Sequence, residues 1–185
     1  MRAAVFLDRD GVLNRALVRD GKPLAPVALE ELEILPEAPA ALRALREAGF
    51  LLIVVTNQPE VARGRLARET VEAMHRRLRA ELPLDDIKAC YEVEGPASTC
   101  YKPKPGMLLA AAAEHRIALA QSYMVGDRWR DVGAGKAAGC RTIFIDRGYD
   151  EALVDAPDAV CADLAEAASL ILERTGVPSL PRRAG

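Results

Sequence analysis

Asp8-Arg9-Asp10-Gly11-Val12-Leu13-Asn14 follows directly on the apolar run Ala3-Ala4-Val5-Phe6-Leu7. A short apolar run of this kind reads as a buried strand. Two carboxylates two residues apart at its end, with Gly next, concentrate negative charge where a parallel sheet opens to solvent. Open α/β sheets bind their ligands at the carboxyl ends of the strands. Neighbouring carboxylates repel, so they need a cation, or one must hold a proton. With oxygen ligands alone the expected cation is Mg²⁺. A carboxylate is also a nucleophile toward phosphorus, forming an aspartyl-phosphate. The plainer reading is an acidic strand-to-turn junction, since Asp and Gly are ordinary turn residues.

Three later segments bear on that choice. Leu51-Leu52-Ile53-Val54-Val55-Thr56-Asn57-Gln58 is a second buried strand ending in a hydroxyl and two amides. Tyr101-Lys102-Pro103-Lys104-Pro105-Gly106 holds a cation in a Pro-stiffened turn before a helix. Ser122-Tyr123-Met124-Val125-Gly126-Asp127 is another strand ending in acid, followed by Arg128-Trp129-Arg130-Asp131. Asp-x-Asp, Thr, Lys and Asp in this order resemble the haloacid dehalogenase superfamily of phosphotransferases. The stretches around Thr56, Ala62-Arg63-Gly64, Lys102 to Leu109 and Ser122 to Asp127 are closest to its heptose bisphosphate and histidinol phosphatase branch.

The pattern along the chain alternates strand and helix. Strands are expected at 3–7, 50–55, 87–91, 122–125 and 141–145, with 159–161 as an edge strand. Helices are expected over 38–48, 66–82, 105–115, 131–138 and 164–172. Such alternation implies an α/β fold, a doubly wound parallel sheet with helices on both faces. One domain is expected over 1–175, with a flexible tail at 176–185. Half the residues are hydrophobic but only 4% are aromatic, so Ala, Leu and Val must fill the interior. The formal charge of −2 gives no nucleic-acid or membrane footprint. The first apolar run is too short for a signal peptide, and no run reaches the ~18 residues of a membrane span. The expectation is a cytoplasmic protein, a monomer or weak homodimer, acting on a small phosphorylated metabolite.

The resemblance implies roles. Asp8 is the nucleophile and a metal ligand. Asp10 is the acid and base for the leaving group and the water, and its backbone carbonyl is a metal contact. Asp127 completes the protein's Mg²⁺ ligands. Thr56 and Lys102 hold the phosphoryl oxygens. Asp131 anchors Lys102 or a metal-bound water, or is simply a helix N-terminal acid. Residues 15–36 and 92–101 are too short to hold a cap domain, although the first stretch has room for a flap. Substrate recognition then falls to short loops carrying Arg9, Gly11, Asn14, Arg19, Asn57, Gln58, Arg63, Tyr101 and Arg128. Trp129 rims the cleft or packs. His75 and His115 are expected on helices away from the acids.

The implied reaction is Mg²⁺-dependent phosphomonoester hydrolysis of a sugar phosphate such as D-glycero-D-manno-heptose 1,7-bisphosphate. The alternatives are histidinol phosphate or another small metabolite, or a catalytically silent Mg²⁺-binding regulatory domain. Relatives in this branch place an Arg before the motif Lys, where this chain has Tyr101. They also carry a zinc loop, Cys-x-His and Cys-x-Cys. Here Glu92 and Ser98 accompany Cys90 and Cys100, a poor zinc set, so zinc is not expected. All four cysteines, with Cys140 and Cys161, are expected as free thiols.

Overall fold

The computed structural model of the chain describes residues 1–176, so the expected tail lies, beyond Gly176, outside the described residues. The chain opens with β1 (Ala4–Leu7), followed by an antiparallel hairpin of β2 (Leu17–Arg19) and β3 (Lys22–Leu24). Then come α1 (Ala38–Glu47), β4 (Leu51–Asn57), the short α2 (Pro59–Ala62), α3 (Arg68–Glu81) and β5 (Asp86–Cys90). The second half is α4 (Gly106–His115), β6 (Tyr123–Gly126), α5 (Trp129–Ala138), β7 (Arg141–Ile145), β8 (Ala159–Cys161) and α6 (Leu164–Arg174). The six main strands lie in the order β5-β4-β1-β6-β7-β8, every pair parallel.

The alternation of side chains across a strand builds the two faces of this sheet. Val5, Leu7, Leu52, Val54, Tyr123 and Val125 pack with α1, α3 and α6 on one side. Ala4, Phe6, Leu51, Ile53, Val55 and Met124 pack with α4 and α5 on the other. Both faces are covered, which is why the central strands read as continuous apolar runs. Each of the Val, Leu, Ile, Phe and Met side chains among them contributes about 1.5–3 kcal/mol by leaving water. The helices follow from spacing. Ala38, Ala41, Leu42 and Leu45 line one buried stripe of α1. In α5, Gly135 lets the helix lie against the sheet, since a Cβ there would stand 2.7 Å from the Met124 and Thr142 side chains. That close seat fixes Asp131, one turn earlier.

The expected strands and helices are present, with β4 running two residues further and α5 starting two residues earlier. The β2–β3 hairpin occupies the first long connection. Its backbone touches the segment after β7, where Asp150 N–H donates to Gly21 at 3.1 Å. Neither long connection builds a separate domain, so the carboxyl ends of β1, β4 and β6 stay uncapped. No helix among the described residues is long and apolar enough to cross a membrane.

Candidate active site

Register puts the three strand ends side by side. Leu7 is level with Val54 on one side and Val125 on the other, and Asp8 N–H donates to Val125 at 3.0 Å. Asp8 therefore sits between Thr56 and Asp127. Lys102 enters from the turn before α4 and is 2% exposed. Its Nζ lies 2.9 Å from Asp8 Oδ1, 2.8 Å from the Val55 carbonyl and 2.5 Å from Asp131 Oδ1. Burial alone would lower the Lys102 pKa, but the charges of Asp131 and Asp8 hold it above the usual lysine range. Asp131 also accepts from the Arg128 N–H at 3.0 Å. It is at once the helix N-terminal acid and the Lys102 anchor.

Three carboxylates, Asp8, Asp127 and Asp131, offer oxygens within 4.8 Å of one another, against one ammonium. The cluster is short of positive charge. Burial and the Asp131 charge push Asp8 up to about 6, against the pull of Lys102. Burial, then Asp8 and Asp131, raise Asp127 well above the carboxylate range. Both Asp127 oxygens are buried and neither meets a well-aligned donor among the described residues; the Tyr149 hydroxyl beside Asp127 offsets only part of the upward push. An orphaned buried carboxylate is costly and marks a missing ion or proton. Hard oxygen donors in this number fit Mg²⁺. Gly11 makes the room, because its φ is +85° and a Cβ there would stand 1.8 Å from Asp127 Oδ2.

Asp10 is held from three sides. Arg9 donates from Nε and Nη2 at 3.0–3.2 Å, Asn14 Nδ2 at 2.9 Å and Gln58 Nε2 at 3.1 Å. Gln58 also reaches Thr56 Oγ1 at 3.0 Å, tying the end of β4 to Asp10. Asp8, Asp10, Thr56, Lys102 and Asp127, scattered over 120 positions of sequence, converge here.

Several residues expected to meet substrate are placed otherwise. Arg9 is fully buried and turned to Asp10, Met74 and His75. Asn14 and Gln58 are buried and spend their amides on Asp10. Asn57 is spent on the Lys102 backbone. Tyr101 is 9% exposed and its ring belongs to the core between sheet and α4, because the preceding turn directs it inward. Arg63 pairs with Glu60, and Arg128 grips Glu151 through Nε and Nη2 at 2.8 and 2.6 Å. Arg19 is exposed on the hairpin. His115 bonds Asp86 at 2.9 Å on the far edge. His75, expected away from the acids, is buried instead, its Nε2 3.4 Å from Arg9 Nη1.

The thiol expectation is corrected at one pair. Cys90 ends β5, Cys100 precedes the Lys102 turn, and their Cα atoms lie 5.6 Å apart, joined by a disulfide. That separation is the ordinary one for such a bond. Glu92 stands beside them. Lys104 donates to the carbonyls of Gly95, Pro96 and Ser98, closing the loop between. Cys140 and Cys161 are buried free thiols.

The segment after β7 was not singled out from sequence. Tyr149 brings its hydroxyl to the side of Asp127 and Gly11, and Arg147 Nε donates to the Gly11 carbonyl at 2.9 Å. With Trp129, Asp146 and Glu151, Tyr149 borders a cleft of about 360 Å³ that reaches Asp127. The signal was available, since the carboxyl end of a parallel strand beside β6 must face the same side. A larger cleft of about 450 Å³ lies at the β5 edge, lined by Arg68, Lys88 and Met107. The smaller one contains Asp127.

A family model for haloacid dehalogenase-like hydrolases matches residues 14–139. The D-glycero-D-manno-heptose-1,7-bisphosphate 7-phosphatase of Thermosynechococcus vestitus is 33% identical over 193 residues, covering 92% of this chain and 95% of its own. The D-glycero-beta-D-manno-heptose-1,7-bisphosphate 7-phosphatase of Pseudomonas aeruginosa is 33% identical over 181 residues, covering 93% and 99%. Among solved structures, the D,D-heptose 1,7-bisphosphate phosphatase from B. bronchiseptica, complexed with magnesium and phosphate, superposes with a TM-score of 0.79 at 29% identity. It covers 93% of this chain and 99% of its own.

Proposed function

Because the chain belongs to the haloacid dehalogenase-like hydrolases and is a phosphatase of that family, we propose that it hydrolyses D-glycero-D-manno-heptose 1,7-bisphosphate at the 7-phosphate. Asp8 Oδ attacks phosphorus, and the bond to the ester oxygen breaks. The bonding pair leaves with that oxygen, which takes a proton from Asp10. Water then attacks the aspartyl-phosphate, Asp10 accepts its proton, and phosphate departs with Asp8 restored. Lys102 and Thr56 balance and hold the phosphoryl oxygens, where most of the catalysis of phosphoryl transfer originates. Asp8, Asp127 and the Asp10 carbonyl would hold Mg²⁺, which supplies Lewis-acid neutralisation of phosphoryl charge. Zinc is not required in this reading, since the two sulfurs this chain keeps of the relatives' zinc set are spent on each other.

The observation that carries this reading is the pair of buried Asp127 oxygens, met by no well-aligned donor among the described residues, beside an Asp8 that is already bonded to a buried lysine. The relatives' names supply the sugar. The test is phosphate release from heptose bisphosphate, sugar monophosphates and histidinol phosphate, with and without Mg²⁺, in the parent and in Asp8→Asn. The bisphosphate should be the best substrate, Mg²⁺ should be needed, and Asp8→Asn should be inactive. A preference for histidinol phosphate would overturn the sugar. Near-native turnover by Asp8→Asn would overturn the covalent route.

A further inference from the structure

Arg9 lies between two acids in the sequence, yet its side chain turns into the protein and is fully buried. Removing a guanidinium from water costs several kcal/mol unless its donors are met. They are met in two directions. Nε faces both oxygens of Asp10 at 3.1 and 3.2 Å, and Nη2 faces Oδ2 at 3.0 Å. The remaining arm, Nη1, points away from Asp10 to His75 Nε2 at 3.4 Å and Met74 Sδ at 3.8 Å, both on α3.

His75 is fitted to accept. It is 4% exposed, and burial and the Arg9 charge push its pKa down to about 4, so the ring is neutral at neutral pH. With Nε2 accepting from Arg9, the proton sits on Nδ1, which faces Glu72 Oε2 at 3.8 Å. Glu72 in turn accepts from the Tyr91 hydroxyl at 2.5 Å. A chain of polar contacts therefore runs from Tyr91, just after β5, through α3 to the carboxyl of Asp10. An apolar side chain would fill the Arg9 site without desolvating a charge. It would not supply the planar fork that fixes both carboxylate oxygens at once.

We infer that the buried Arg9–His75 pair is a positioning device for Asp10, holding its carboxyl in the orientation that serves the leaving oxygen. This rests on the reading of Asp10 as the acid and base. In that role Asp10 matters most where the leaving alkoxide cannot depart without a proton, as in a sugar phosphate. For an aryl phosphate, whose phenolate leaves unaided, it matters little to the first step. In the second step Asp10 activates water for every substrate, so the leaving-group effect is read in kcat/KM, which reports the steps up to departure of the leaving group. Loss of the positioning must then show as a leaving-group effect, which a merely structural defect would not produce.

The experiment compares kcat and KM on heptose bisphosphate and on 4-nitrophenyl phosphate in the Mg²⁺-loaded parent and four variants: Arg9→Gln, His75→Leu, His75→Gln and Asp10→Asn. General acid catalysis is worth roughly 10²–10⁴-fold. On the sugar phosphate, kcat/KM should fall by roughly tenfold or more in His75→Leu and further in Arg9→Gln. On the aryl phosphate the fall should be small. His75→Gln, whose amide oxygen still accepts from Arg9, should recover most of the His75→Leu loss. Equal losses on both substrates, or no loss in His75→Leu, would overturn the inference. If Arg9→Gln does not fold, the two His75 variants decide it. A selective loss in Asp10→Asn alone would overturn the positioning role and leave the acid–base reading standing. No selectivity in Asp10→Asn would overturn that reading as well.

Discussion

Asn57 brackets the backbone of Lys102: its Oδ1 accepts from the Lys102 N–H at 3.0 Å, and its Nδ2 donates to the Lys102 carbonyl at 3.2 Å. The two residues are 45 positions apart. One side chain at the end of β4 thus fixes where the cation of the 101–105 turn stands. The Lys102 ammonium then completes the join by donating to Val55, two residues before Asn57.

Asn57→Ala removes both bonds and leaves a half-buried N–H and C=O to find water. Each lost bond costs about 0.5–1.5 kcal/mol. Stability should fall by about 1–3 kcal/mol, and kcat should fall about tenfold or more as Lys102 loses its seat. Asn57→Asp keeps the acceptor only and should lie between. Urea unfolding and steady-state kinetics on one set of preparations measure both. Unchanged kcat in Asn57→Ala would show that the Asp8 and Asp131 contacts alone hold the lysine.

Gly11→Ala should disable the cation site before it disables the fold. The positive φ costs of order 1–2 kcal/mol for a residue with a Cβ. The new methyl must also displace Asp127 Oδ2, which it would otherwise approach to 1.8 Å. For a chain of this size about 1 kcal/mol corresponds to a Tm change of about 2–4 °C. The parent's Tm should rise with added Mg²⁺, by linkage. Gly11→Ala should melt a few degrees lower and lose that rise. An undiminished Mg²⁺ shift in the variant would place the cation elsewhere.

His75 makes stability depend on pH in a stated window. Its pKa is about 4 in the folded protein against 6.5 in an unfolded chain, through burial and then the Arg9 charge. The unfolded state binds the proton that the folded state refuses. The contribution is complete above pH 6.5, falls as pH drops from 6.5 toward 4, and then levels. Between pH 7 and pH 5 that loss is about 2 kcal/mol. His75→Gln removes it, so the variant's stability should fall less over the same interval. Parallel falls in parent and variant would mean that the ring is protonated in the native state.

The Cys90–Cys100 bond closes a loop with a sequence separation of 10 and should stabilise by about 3 kcal/mol through the unfolded chain. Reductant should lower the Tm of the parent and not that of Cys90→Ser/Cys100→Ser. Thiol titration gives an independent count. Burial pushes Cys140 and Cys161 up to about 12, so neither should react in the native protein. Denaturation without reductant should expose those two, and reduction should expose four. Four thiols without reduction would show the pair to be open. Metal analysis of the same protein should find no stoichiometric zinc.

The sequence alone determined the sheet and pointed to the proposed reacting groups, because both are local. A run such as Ala3 to Leu7 has to be buried, and Asp8 at its end has to face the carboxyl side of a parallel sheet. The same reasoning carried Thr56 and Asp127, and Lys102 came from the resemblance of its Pro-bounded turn. Tertiary structure alone decided what the flanking side chains touch. Arg9, Tyr101 and Asn57 sit beside reacting residues in the chain, and adjacency suggested contact with substrate. Backbone direction at each position turned them inward, to Asp10, to the core and to Lys102. His75, Tyr149 and Cys90 reach the site or its supports only through packing of α3, the segment after β7 and the end of β5. Contacts 65 or more residues apart, such as those of Arg9 with α3, leave no periodicity in the sequence to read. They exist because the sheet brings distant strand ends together, and that is a property of the fold.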